Sequence, residues 1–114
     1  MSVEIIKKNN PILLVLDDCL CEEFGVTAAD LQKRDRTRFV QMCRTLYTWH
    51  AHSIAEHLTT NELGILIKRH HATIIWQLKQ HDDWLEFDKE YQRMYTRLQN
   101  KFNQLKNEKE NGMV

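Results

Sequence analysis

The sequence predicts an all-α domain: a bundle of five or six helices with an embedded helix-turn-helix and a long C-terminal helix. Three observations carry that expectation. Turn formers are scarce, with three glycines and one proline in 114 residues, and no Val/Ile/Thr-rich run alternates as a strand would. Apolar residues recur at helical spacing along most of the chain. Hydroxyl residues followed by an acid three positions later, at Thr27/Asp30 and Thr59/Glu62, mark helix starts.

The elements follow in order. Residues 1–9 read as a flexible leader. Pro11 suits the first turn of a helix, where its missing N–H costs nothing. Ile12, Val15, Leu16, Cys19, Leu20 and Phe24 then keep helical spacing up to Gly25, a left-handed helix stop. Thr27 caps a short helix, Ala28 to about Gln32, with Leu31 pointing inward. Lys33 to Arg38 form a basic loop running into a long helix, about Thr37 to His57, with Val40, Cys43, Leu46, Tyr47, His50 and Ile54 on one stripe.

Thr59 opens the next helix, with Leu63, Leu66 and Ile67 inward. Lys68-Arg69-His70 is a turn. A helix from His71 to about His81 follows, with Ile74, Ile75 and Leu78 buried and Trp76 expected against Phe87 or Tyr91. The last helix is expected to begin near Asp82 or Asp83, where acids favour the positive dipole end. Its stripe is Phe87, Tyr91, Met94, Leu98, Phe102 and Leu105. Residues 10–105 thus form one domain, and residues 106–114 are expected to be a frayed polar tail.

Composition narrows the function classes. The net charge is zero but unevenly spread. Residues 1–30 carry two lysines and six acids, residues 31–80 carry eight Lys/Arg and three acids, and residues 81–114 carry six and seven. The middle block is therefore basic, and five of the six histidines lie in it. A charge-segregated domain can hold a basic face without being basic overall. The longest apolar run, Ile12 to Leu16, is far too short to span a bilayer. The N-terminus has no export pattern. Three cysteines, an odd number, suit reduced thiols. A cytoplasmic protein is expected.

No motif supports catalysis. No serine lies in a nucleophile pattern, and Cys43 and His50 are two turns apart on one helix, which suits packing more than proton transfer. The histidines lack structural zinc spacing, so no metal and no cofactor are expected. No Gly-x-x-x-x-Gly-Lys-Ser/Thr loop occurs, so no nucleotide is expected either. The tryptophans Trp49, Trp76 and Trp84 sit on helices rather than on a sheet face, which favours core or rim packing over a single-strand stacking platform. The last helix keeps its near-heptad stripe for less than three heptads, so packing onto its own domain is favoured over a homodimer.

The segment Thr59 to Ile75 is the most telling. A short capped helix, a tight basic turn and a second helix opening with small, polar side chains is how a helix-turn-helix presents its reading head to the major groove. Around it, further pieces resemble the C-terminal DNA-binding domain of the bacterial replication initiator DnaA. Glu23 to Leu31 is similar to that family's helix end, turn and Asp-Leu. Arg34 to Arg44 matches its basic loop and helix start, with arginines at 36, 38 and 44 and valine at 40. Thr59, Glu62 and Gly64 match its Ser-Leu-Pro-Glu-Ile-Gly segment. Arg69, His71, Thr73 and Ile74 match its Arg-Asp-His-Thr-Thr-Val motif. The resemblance covers about residues 10–105.

The resemblance implies duplex DNA as partner, with no membrane, and a role in replication initiation, its regulation or transcription. Arg36, on the loop with Arg34, would enter the minor groove. Arg69, His70, His71, Ala72 and Thr73 would work the major groove, while Arg38, Arg44, Lys68 and Thr59 would touch the backbone. Two positions depart from the family: His70 replaces its Asp, and Ala72 its first Thr. An Asp accepts a hydrogen bond from the cytosine amino group, which a neutral His does not do identically, whereas Ala72 suits a thymine methyl. The turn is also one residue shorter and lacks the family's Gly-Gly. A homodimer or an initiator protein would be a further partner. The alternative is a protein-interaction adaptor that keeps the fold and has lost DNA reading.

Overall fold

Most helix starts follow local capping chemistry in this computed structural model, which describes residues 2–112, while α2 and α4 begin without a side-chain cap. The hydroxyl of Ser2 accepts from the Ile5 N–H and opens α1, Val3–Asn9. Pro11 precedes α2, Ile12–Phe24, which ends at Gly25 in the left-handed conformation, φ 69°. Thr27 and Asp30 form a reciprocal capping box at the start of α3, Ala28–Gln32. Thr37 precedes α4, Arg38–Ile54. Thr59 and Glu62 form a second capping box at α5, Thr60–Ile67. His70 caps α6, His71–Phe87, and α7 spans Lys89–Gly112. The described residues contain no strand, and the fold is all-α, with seven helices described rather than five or six.

The core is one cluster in which α2, α4, α6 and α7 pack on one another, with α5 against α6, α3 against α5 and α1 against α5 and α2. Leu16, Leu20, Leu31, Leu46, Leu66 and Leu98 are almost fully enclosed. The stripe of α7 is spent inside the domain: Tyr91, Met94, Leu98 and Phe102 are buried. Arg97 pairs with Glu23 across the α2–α7 seam at 2.8 Å.

Three expectations about the chain's ends and joints are corrected. The leader is a helix, because Ile6 drops into the core and Lys7 reaches Asp17 at 2.5 Å, next to the Tyr47 hydroxyl on the same carboxylate. The polar run His81-Asp82-Asp83 does not start the last helix, because Gln77 and His81 turn inward and α6 continues through it. The break falls six residues later, where the Asp88 carboxylate accepts from the Tyr91 N–H at 2.9 Å and caps α7. Phe87 therefore leaves the last helix's stripe and stands 78% exposed. The tail from Lys106 is helical as far as Gly112; its last two residues lie outside the described residues.

No helix among the described residues is long and apolar enough to cross a membrane.

Candidate nucleic-acid interface

The helix pair α5–α6 meets through a three-residue turn whose geometry depends on one glycine. Lys68 takes a left-handed conformation, φ 54°, and Arg69 donates its backbone N–H to the Gly64 carbonyl at 2.8 Å. A Cβ on Gly64 would overlap the Arg69 carbonyl oxygen. Glycine is thus what lets the turn fold back onto α5 so tightly.

At the start of α6, the His70 ring Nδ1 accepts from the Ala72 N–H at 3.2 Å. A neutral imidazole that accepts at Nδ1 carries its proton on Nε2. His70 therefore offers a donor to the outside. The His71 ring lies against it, centroids 4.1 Å apart. His70, His71 and Ala72 are all exposed, and Thr73 is half-buried. The N-terminal face of α6 is therefore open to a partner.

A cleft of about 580 Å³ separates this helix from the basic loop. It is lined by Arg34, Arg36 and Gln41 from the loop and the start of α4, by Lys68 and Arg69 from the turn, and by Thr73 and Trp76 from α6, together with Thr45 and Gln77. Arg34, Arg36 and Lys68 are exposed and have no acidic partner among the described residues. Asp35 is the one acid lining the cleft. Its carboxyl is held below the usual range, mainly by the Thr37 backbone N–H.

The other arginines are engaged elsewhere. Arg44, expected to touch a phosphate, is 4% exposed. It gives Nε to the Leu31 carbonyl at 2.9 Å and its two Nη groups to Lys33 and Asp35 carbonyls at 2.6 Å each. Burial and then the Arg69 charge lower its pKa. Arg69, expected in the major groove, is turned back onto the carbonyls of Lys33, Ile67 and Lys68. Arg38 is exposed but paired with Asp88, and its guanidinium lies over the Trp84 ring. Thr59 is exposed, with its hydroxyl used in the capping box. The structure brings Arg34, Arg36, Lys68 and Thr73 to this cleft, and places His70 and His71 beside Lys68 on a second, shallower concavity shared with Val3, Asn61 and Ile65. It leaves Ala72 exposed at the start of α6, and holds Arg38, Arg44, Arg69 and Thr59 in contacts within the protein.

Trp76, which the sequence assigns to core or rim packing, belongs to the cleft instead. It is 56% exposed, on the cleft and not against Phe87 or Tyr91; Trp84 is the tryptophan that packs on Tyr91, with ring centroids 5.3 Å apart. Its spacing held the signal: Trp76 falls three and four residues after Thr73 and Ala72, on their face of the helix. Ile75 is likewise 44% exposed, and Gln77 takes the inward position, accepting from the Thr48 hydroxyl at 2.9 Å.

Of the histidines away from this face, His50 and His81 are buried packing groups, while His52 and His57 are exposed. His50 donates Nδ1–H to the Leu46 carbonyl at 2.8 Å. His81 stacks on Trp49 at 4.4 Å and meets the Tyr91 hydroxyl at 2.6 Å. No three His, Cys, Asp or Glu side chains converge as metal ligands among the described residues. No protein-family model, curated protein or solved structure matches the chain.

Proposed function

We propose that the protein binds duplex DNA, with α6 in the major groove and Arg36 in the adjacent minor groove, as a regulator of replication initiation or of transcription in the manner of the DnaA C-terminal domain. The observation that carries this reading is the convergence of cations from two separate segments, Arg34 and Arg36 from the loop and Lys68 from the turn, beside the exposed start of α6. A duplex offers a phosphate strand between its two grooves, and a cleft flanked by those cations suits that strand.

The individual roles follow from chemistry. Arg36 is planar and unpaired, suited to a narrow, negative minor groove. Lys68 and Arg34 meet phosphate. His70 presents Nε2–H, a donor, so it seeks an acceptor on a base edge such as guanine O6 or N7. Ala72 suits a thymine methyl. Trp76 adds an indole N–H and an apolar face at the cleft wall.

The reading is tested by titrating fluorescent random duplex at about 50 mM salt, then selecting bound sequences from a random library. Two phosphate-contacting cations, with Arg36 in the minor groove, predict a log–log salt slope of about −2 to −3. An absence of binding at micromolar protein under those conditions defeats the reading.

One observation favours a second reading, a protein-interaction adaptor. Arg38, Arg44 and Arg69 are held by partners inside the protein, while Trp76 and Phe87 stand exposed. Failure to bind duplex, with retention of a protein partner lost in Phe87→Ala, would support it.

A further inference from the structure

Residues 33–37 form no helix or strand and all five are exposed, yet the loop backbone is captured almost throughout. From α4, Arg44 holds the carbonyls of Leu31, Lys33 and Asp35, and Gln41 donates its amide to the Arg36 carbonyl at 2.9 Å. From the turn before α6, Arg69 donates Nη2 to the same Lys33 carbonyl at 2.7 Å. The Gln32 side-chain amide ties back to the Leu66 carbonyl at 3.1 Å. The Lys33 carbonyl is a shared peg between α4 and the helix-turn-helix turn.

This arrangement is costly. Two guanidiniums meet at one oxygen, and Arg44 is buried among carbonyl dipoles with no salt bridge among the described residues, the Asp35 charge offsetting only part of the burial and of the Arg69 repulsion. A loop whose only task is to join α3 to α4 has no need of it. What the clamp achieves is a fixed offset between Arg36 and His71, the first residue of α6. The planar fork of arginine suits the task, because it reaches several carbonyls in set directions, which a lysine ammonium does not.

We infer that Arg44 and Arg69 are positioning residues that turn the basic loop and the reading helix into one rigid ruler, so that the protein requires a fixed number of base pairs between its minor-groove and major-groove contacts. The inference rests on the duplex reading proposed above.

The test uses the full chain and a duplex taken from the wild-type selection. Two sequence blocks at constant separation are expected in that pool. Inserting one base pair between them displaces one block by about 3.4 Å and rotates it, and is expected to weaken wild-type binding at least tenfold. Arg69→Lys keeps the charge, so its affinity for random duplex and its salt slope should stay within twofold of wild type. Its penalty for the inserted base pair should fall below threefold. If Arg69→Lys does not fold by circular dichroism, Gln32→Ala, which cuts the Leu66 tie, serves for the same comparison. A wild-type penalty below twofold, or a variant that keeps the full penalty, overturns the ruler while leaving duplex binding in place. A wild-type protein that binds no duplex at all overturns both.

Discussion

The Arg69 carbonyl oxygen packs directly over the Cα of Gly64, and the Arg69 N–H donates to the Gly64 carbonyl at 2.8 Å. The α5–α6 turn therefore closes only with glycine at position 64. Gly64→Ala is expected to lose roughly 1–3 kcal/mol through overpacking, read as a fall in Tm. Gly25 is the control. It is left-handed with nothing within 4 Å of an added Cβ, so Gly25→Ala should cost only about 1 kcal/mol of backbone strain. Equal losses at the two sites would defeat the close-approach account.

Arg36 and Arg44 are eight residues apart and should behave oppositely. Arg36→Ala removes an exposed side chain, so Tm should move by less than about 0.5 kcal/mol equivalent while sequence preference relaxes. Arg44→Ala strands the Leu31 and Asp35 carbonyls, with Lys33 keeping its bond from Arg69, and should cost roughly 2–3 kcal/mol. Denaturant unfolding, paired with binding to selected and random duplexes, checks both halves.

The His70 tautomer makes a prediction about bases. With Nδ1 committed to the Ala72 N–H, the outward nitrogen donates. His70→Asp replaces that donor with an acceptor and should shift the preferred base at one position from guanine toward cytosine. Library selection with both proteins reads this, and identical pools would count against His70 as a base contact.

His81 makes the fold sensitive to acid. It is fully buried, its Nε2 has no partner among the described residues, and it is packed by Trp49 and His50 from α4 and Tyr91 and Tyr95 from α7, with Asp82 next to it in sequence. Burial, then the His50 charge, pushes it down from 6.5 to about 4. Below pH 6.5 the unfolded chain takes up a proton that the folded chain refuses. Stability should therefore be full above pH 6.5, decline as pH falls toward 4, and level off below, a loss on the order of 3 kcal/mol. His50 is shifted in the same direction and adds to the slope. His81→Phe should flatten much of it; a variant with an unchanged pH–stability profile would exclude His81 as the cause.

The thiols should divide one against two. Cys21 is exposed, whereas Cys19 and Cys43 are buried, and burial raises their thiols to about 11 and about 12. Since the thiolate is the reactive form, a disulfide reagent at neutral pH should modify one thiol quickly and the other two only after unfolding.

What the sequence determined by itself was local. The capping boxes at Thr27 and Thr59, the left-handed stop at Gly25, and the helix–turn–helix from Thr59 through His71 each depend on residues within a few positions of one another, so their chemistry is visible along the chain. Tertiary structure decided where the charges are used. Arg38 meets Asp88 fifty residues away, and Arg69 meets the Lys33 carbonyl thirty-six away. No spacing rule marks such pairs, so a family-like pattern of arginines reads as a set of DNA contacts, whereas Arg38, Arg44 and Arg69 are held by partners within the protein. The same limit explains α6. Its polar stretch at His81 to Asp83 looks like a break until Trp49 and Tyr91 are seen to enclose His81. It also explains Trp76, whose exposure depends on Gln77 taking the inward place against Thr48.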